Sequence, residues 1–330
     1  MAATIENVAV RAGVAKSTVS KYMNGGTLRS DVRERVEQAV KELGYVPNDM
    51  ARGLKNAKSF TVGVLIPTLS SAFSAGILSE MENVLQEHGY GMILCDCKGR
   101  RKEELEKLAF LEHKKVDAYV ILSSTLSRED IAKIKKPVVL FDKPIEGAER
   151  DTILIDNYSA GYAGAEILLK NGHRDIAVLA GGREGVFTSS ERVRGCLAAI
   201  RDYGENLSSE RILHTDFTLS GAYQVVTELL ESGKLPTAFF ALNDDVTVGL
   251  VMALNRAGVS IPNEISVLGF DNLTVAKVSN PTLDIIYQPL DTLGRLIGDT
   301  VVERLNGQGG KPRTRVVDYV IYPGASIRTL

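Results

Sequence analysis

Lys16, Ser17, Ser20 and Lys21 lie within six residues of one another. Their side chains are donors of the kind that reach guanine edges and phosphate oxygens. If the stretch is helical, Val14, Thr18, Val19 and Tyr22 take one face, and the four polar residues share the face left over. That is the chemistry a helix needs in the major groove of a duplex. A second set of candidates is acidic: Asn243-Asp244-Asp245 and Asp271-Asn272 each follow an apolar run. Carboxylates there serve as general acids, as metal ligands or as acceptors for hydroxyl groups. They also serve as helix N-caps, a role Asp244 and Asp245 suit. Gly181-Gly182-Arg183-Glu184-Gly185 fits neither GxGxxG nor a P-loop and reads as an ordinary loop. No Ser/His/Asp or Cys/His constellation stands out, so catalysis is not expected. Cys95 and Cys97 flank a single Asp96, and the four histidines are scattered, which suits neither a disulfide framework nor a zinc site. A reduced cytoplasmic protein without metal or cofactor is the expectation.

The elements that would position these residues come in two kinds. Over the first 46 residues the apolar spacing is helical. Ile5, Val8, Ala9 and Ala12 form one short amphipathic helix closed by Gly13, and a second helix stops near Asn24-Gly25-Gly26. Ser30 is placed as N-cap of a third, with Val32, Val36, Ala39, Val40 and Leu43 inward and Gly44 at its end. Two short helices joined by a tight turn and followed by a third make a helix-turn-helix pattern. After Lys58 the rhythm changes. Strand-like runs occur at Thr61–Ile66, Met92–Cys95, Ala118–Leu122, Val138–Phe141, Ile153–Ile155, Ile176–Leu179, Ala238–Ala241 and Ile265–Gly269, most of them separated by helical stretches that end in Gly. Repeated βαβ units imply parallel sheets covered on both faces. Eight or so strands in some 270 residues point to two lobes, with ligands expected at the strand C-termini. Asn48–Lys55, preceded by Pro47 and carrying Gly53, is too short to be a stable helix by itself and reads as a linker that becomes helical only when held.

Charge separates the same two parts. The chain has 330 residues and a net charge of −2. Residues 1–58 hold ten Lys or Arg against six Asp or Glu, which leaves 29 against 35 in the remainder. A basic head on an acidic body fits a polyanionic partner for the head alone and equally a solvated helical face, so charge by itself does not choose between them. No apolar run is long enough to span a bilayer, and no membrane partner is expected.

Taken together the residues resemble the lactose-repressor (LacI/GalR) family of bacterial transcription regulators over essentially the whole chain. The resemblance rests on Thr4-Ile5-x-x-Val8-Ala9-x-x-Ala12-Gly13-Val14, Thr18-Val19-Ser20, Arg33-x-Arg35-Val36 and Leu43-Gly44-Tyr45-x-Pro47-Asn48-x-x-Ala51-Arg52-x-Leu54. It continues in Gly63-Val64-x-x-Pro67, Gly172-His173-x-x-Ile176-Ala177, Asn243-Asp244, Gly249, Ile261-Pro262, Gly269-Phe270-Asp271 and Gln288-Pro289.

The resemblance implies a small all-α helix-turn-helix head (residues 1–46), a hinge (47–58) and an α/β body (59–330) with a two-lobed periplasmic-binding-protein-like fold of doubly wound parallel sheets. Its lobes would comprise about 59–157 with 289–317, and 158–288 with 318–330. It implies a homodimer on double-stranded operator DNA, with Lys16, Ser17 and Lys21 facing bases and Thr4, Thr18, Ser20 and Asn24 on phosphate or sugar. Asn48, Ala51, Leu54 and Lys55 would meet DNA from the hinge, Leu54 as an apolar wedge in the minor groove. Phe73, Asp156, Arg192, Phe217, Asn243, Asp271 and Gln288 would surround a small-molecule effector, a sugar or glycoside suiting them best. Control by a phosphorylated carrier protein, as in catabolite-control relatives, is the alternative. Ser74 stands where purine-binding relatives have a second aromatic, which counts against a purine.

Overall fold

The structure, a computed structural model, describes residues 3–23, 26–45, 58–69, 71–122, 125–182, 186–271 and 273–330. The chain divides into two compact units, Met1–Ser59 and Phe60–Leu330.

In the first unit α1 (Ile5–Ala12) starts at Thr4, whose side chain accepts from the Asn7 amide while the Asn7 side chain accepts from Thr4 N–H, a reciprocal cap. Gly13 ends α1 in the left-handed region at φ 65°. Helices α2 (Lys16–Met23) and α3 (Ser30–Leu43) close a small core of Val8, Ala9, Ala12, Val19, Val36 and Ala39. Ser30 does not cap α3. Arg29 occupies the extended cap position (φ −65°, ψ 145°), and Ser30 is already helical, its hydroxyl donating to the Glu34 carboxylate one turn on at 3.1 Å. A carboxylate within reach competes with the backbone for that hydroxyl. Asn24 and the hinge residues Asn48, Ala51, Leu54 and Lys55 lie outside the described residues.

The second unit is built from two six-stranded sheets. The first contains β1 (Thr61–Ile66), β2 (Gly91–Asp96), β3 (Ala118–Leu122), β4 (Val138–Phe141), β5 (Asp151–Ile155) and β11 (Thr314–Val317), in the order β11-β5-β4-β3-β1-β2, all parallel. One face packs on α4 (Ala72–Glu87) and α12 (Leu290–Leu305), the other on α5 (Arg101–His113) and α6 (Arg128–Lys133). The second contains β6 (Ile176–Gly181), β7 (Ile212–Thr215), β8 (Ala238–Ala241), β9 (Ser266–Phe270), β10 (Asp284–Tyr287) and β12 (Val320–Tyr322), ordered β12-β10-β9-β8-β6-β7. It is parallel except for β12, which runs antiparallel to β10. Helices α7 (Asn157–Lys170) and α8 (Phe187–Asp202) cover one face, and α9 (Leu219–Glu231) and α10 (Asp244–Arg256) the other; α11 (Leu273–Val278) follows β9. The inner strands, such as β1, β3, β4, β6, β8 and β9, are buried on both faces, which is why they read as continuous apolar runs.

The chain passes between the sheets three times: after β5, after β10 and after β11. Four strands gave no clear sequence signal: β7, β10, β11 and β12. Each has at most four residues, and β7, β11 and β12 are edge strands whose outward positions are polar or exposed. No helix among the described residues is long and apolar enough to cross a membrane. Cys95, Cys97 and Cys196 are free and buried.

Candidate functional site

On α2 the side chains of Lys16, Ser17 and Lys21 are exposed, Thr18 and Ser20 are half-buried, and Val19 is buried against α1 and α3. The apolar face holds the helix to its unit, so the basic face points outward. The Lys16 ammonium is 3.9 Å from Glu6 with both side chains mostly in solvent, a contact worth little and easily exchanged. Gly26 N–H donates to the Lys21 carbonyl at 2.8 Å, which closes the C-terminal turn of α2.

In the second unit the polar residues gather where strands of both sheets end. Arg192, on α8, is almost wholly buried. Its Nε donates to Asn157 Oδ1 at 2.8 Å, its Nη1 to the Leu242 carbonyl at 2.6 Å, and its guanidinium lies 3.8 Å above the Phe270 ring. The carboxylates of Asp271, Asp142 and Asp244 act on it electrostatically: Asp142 follows β4 of the first sheet, and the other two follow β9 and β8 of the second. Burial lowers the Arg192 pKa from its usual range, and these three carboxylates oppose the shift.

Asp271 is buried in a left-handed conformation at φ 64°, its N–H donating to the Ile286 carbonyl at 2.7 Å. Gln288 holds its carboxylate, donating from the backbone N–H (3.2 Å) and from Nε2 to both oxygens (3.0 and 2.8 Å). Burial pushes the Asp271 carboxyl up to about 7; Arg192 pulls it down, and Asp244 adds to the rise. Thr247 ties the two strand ends together, donating to the Asn243 carbonyl (2.8 Å) and accepting from Phe270 N–H (3.0 Å). Two buried acceptor atoms, Asp244 Oδ2 and Gln288 Oε1, have no hydrogen-bond partner among the described residues.

Asp271 and Gln288 thus form a hydrogen-bonded pair, coupled electrostatically to Arg192, which Asp142 and Asp244 also influence. The remaining expected effector residues have local duties. Asp156 caps α7, accepting from Ser159 N–H (2.9 Å) and Oγ (2.7 Å). Asn243 caps α10 through Val246 N–H (3.0 Å), so the cap belongs to it and not to Asp244 or Asp245, which sit in the first turn. Phe73 stacks on Phe141 of its own lobe, with ring centroids 6.0 Å apart. Phe217, at φ 64°, lies against Gly181, where any side chain would displace its ring. Sequence reasoning missed Asp142 and Asn157. The usable signal for Asp142 was its place directly after an apolar strand, the same as for Asp271.

A head of three helices with a basic outer face, joined to a two-sheet body with a buried polar cluster at its strand ends, defines a ligand-responsive regulator. Residues 4–48 match the family described as "Bacterial regulatory proteins, lacI family", and residues 59–321 match "Periplasmic binding proteins and sugar binding domain of LacI family". The chain belongs to the LacI family of bacterial regulatory proteins. It is 31% identical over 318 residues to the HTH-type transcriptional repressor PurR of Aliivibrio fischeri (strain MJ11), covering 94% of each chain. Among solved structures it is similar to the transcriptional regulator CelR–cellobiose complex (28% identity, TM-score 0.73, covering 98% of this chain and 99% of that one). The lac repressor dimer bound to operator and the anti-inducer ONPF shares the fold (TM-score 0.87, 23% identity, 99% and 100% covered).

Proposed function

We propose that this chain is an operator-binding repressor working as a homodimer, its DNA affinity set by a small polyhydroxylated effector held by Arg192, Asp271 and Gln288. The observation that carries the reading is the polar cluster itself. It buries a guanidinium, a carboxylate and an amide near strand C-termini, and carboxylates from both lobes act electrostatically on that guanidinium. Such a cluster fixes the orientation of a hydroxyl-rich ligand. A ligand inserted among charges from two lobes changes which lobe arrangement is favoured, by as much as its affinity differs between the two arrangements. Lys16, Ser17 and Lys21 would read bases from α2, while Thr4, Thr18 and Ser20 would hold the backbone.

The test starts with the operator. Selection from random duplex DNA by the purified protein should return a pseudo-palindromic site, and sugars that raise the protein's thermal stability should change affinity for it. Asp271→Asn should fold, bind the selected site and lose ligand affinity by calorimetry. Unchanged ligand affinity in the folded variant would remove Asp271 from the effector site.

A further inference from the structure

Glu6 and Lys16 stand side by side on the head. Glu6 lies in the first turn of α1, Lys16 is the first residue of α2, and carboxylate and ammonium are 3.9 Å apart. One core holds both helices, Val8, Ala9 and Ala12 of α1 meeting Val19 of α2, so the spacing is set by packed helices and not by a loop. Yet 74% of the Glu6 side chain and 59% of the Lys16 side chain remain exposed, and a contact so long and so open contributes little to stability. Each group is free to exchange the other for an atom outside the protein. In a helix-turn-helix the N-terminal residues of the second helix meet base edges in the major groove, and Lys16 holds that place. A carboxylate beside it has no use on a surface that binds phosphate alone, since phosphate repels it. Its use is where a base presents a donor.

We propose that Glu6 is a specificity-determining residue, and that Lys16 and Glu6 together read one G·C pair. Lys16 donates to guanine O6 and N7, and Glu6 accepts from cytosine N4. The proposal rests on the reading of α2 as the base-reading helix and adds to it a residue of α1. In the major groove a G·C pair sets an acceptor, guanine O6, beside a donor, cytosine N4, the two being hydrogen-bonded to each other at about 2.9 Å. A cationic donor and an anionic acceptor 3.9 Å apart present the complementary order at nearly the same spacing. An A·T pair offers a donor and an acceptor in a worse setting. Adenine N6 is flanked by N7, an acceptor that repels a carboxylate, and thymine O4 is flanked by a methyl group. Cytosine N4 has no acceptor beside it in the groove. Glu6 also works against wrong sequences, because with no donor before it the carboxylate stands unpaired among phosphates.

The test uses the full chain on duplexes obtained by selection from random DNA. The selected site should contain a G·C pair in each half-site at which Lys16→Ala relaxes the preference. Glu6→Gln should act at the same pair, cutting the discrimination against adenine in place of its cytosine about tenfold, since an amide pairs with adenine N6 and N7. Random duplex should bind the Gln variant at least as tightly as wild type, a charge that repels phosphate having gone. Titrations on the selected site, on the site with that pair replaced and on random duplex read these effects, with urea unfolding alongside. Unchanged discrimination in Glu6→Gln overturns the proposal and leaves Glu6 a solvated charge on α1. Relaxation at a pair other than the one Lys16→Ala relaxes overturns it too. Equal losses on all three duplexes, with a lowered unfolding midpoint, overturn it by assigning Glu6 to the stability of α1. So does a Lys16→Ala variant that weakens selected and random duplex alike. In each of these cases a site is still selected and the operator reading survives. A selection that returns no site removes that reading, and this proposal with it.

Discussion

Gly161 and Arg192 meet with no side chain between them: a methyl group on Gly161 would stand 2.0 Å from the Arg192 carbonyl oxygen. The contact is reciprocal, since a methyl on Gly195 would stand 1.9 Å from the Tyr158 carbonyl oxygen. Helices α7 and α8 therefore cross backbone to backbone, and the crossing sets how far α8 carries the guanidinium toward Asn157, Leu242 and Phe270.

Gly161→Ala should separate the helices. Backbone cannot yield as a side-chain tip does, so the expected cost is about 1–3 kcal/mol of stability from overpacking. The guanidinium should retreat from its two hydrogen bonds, and effector affinity should fall. Urea unfolding and calorimetry on the same protein read both effects. Wild-type stability with wild-type ligand affinity would show that the crossing does not position Arg192.

Much of the body was readable from the sequence because doubly covered strands such as Thr61–Ile66 and Ala118–Leu122 are unbroken apolar runs. The cluster was less so. Arg192 and Gln288 came from family resemblance; Asp271 and Asp244 stood out as carboxylates after apolar runs, and Asp142, in the same kind of place, was passed over. What brings them together is non-local: the glycine crossing of α7 and α8, and left-handed backbone at Asp142 (φ 69°) and Asp271 (φ 64°). Aspartate enters that region more readily than most side chains, but no periodicity in the sequence encodes where it does so.

Asp271 should make stability depend on pH in the direction opposite to that of most carboxylates. Its folded pKa, about 7, lies above the ordinary value of 3.8 because of burial. Between these values the folded protein binds more protons than the unfolded chain. Its contribution is therefore fully present below the unfolded pKa and is lost as pH rises to about 7. Asp130 and Asp216, held low by hydrogen bonds from Ser127 and Thr218, work the other way near pH 4 in wild type and variant alike. Raising the pH from about 5 to about 8 should thus shift the urea midpoint of Asp271→Asn upward relative to wild type. Parallel midpoints across that range would mean that Asp271 titrates normally.

Thr4 has a structural duty besides the phosphate contact that the family resemblance implies. Its Oγ1 accepts from Asn7 N–H at 3.3 Å, and Asn7 Oδ1 accepts from the Thr4 backbone N–H at 2.9 Å. Thr4→Ala should cost α1 about 1 kcal/mol, and Thr4→Ser should recover most of it. Amide exchange over Ile5–Ala12 in the full chain measures this without DNA. Equal protection in both variants would leave the hydroxyl with no capping role.

Lys16 and Lys21 provide the sharpest test of the reading face, since both are exposed on a helix whose opposite side is fixed by Val19. The Lys16 contact with Glu6 is long and solvated, so releasing it for a base costs little. If each lysine donates to a base edge, replacing it with Ala should weaken binding to the selected operator by about 1–3 kcal/mol and relax the preference at one base pair. A lysine that touches only phosphate behaves differently: its loss weakens operator and random duplex alike and lowers the salt slope by about one. Titrating each variant on both duplexes at several salt concentrations separates the two behaviours. Equal losses on both duplexes for both lysines would assign α2 to the phosphate backbone and leave base reading to Ser17 and other residues.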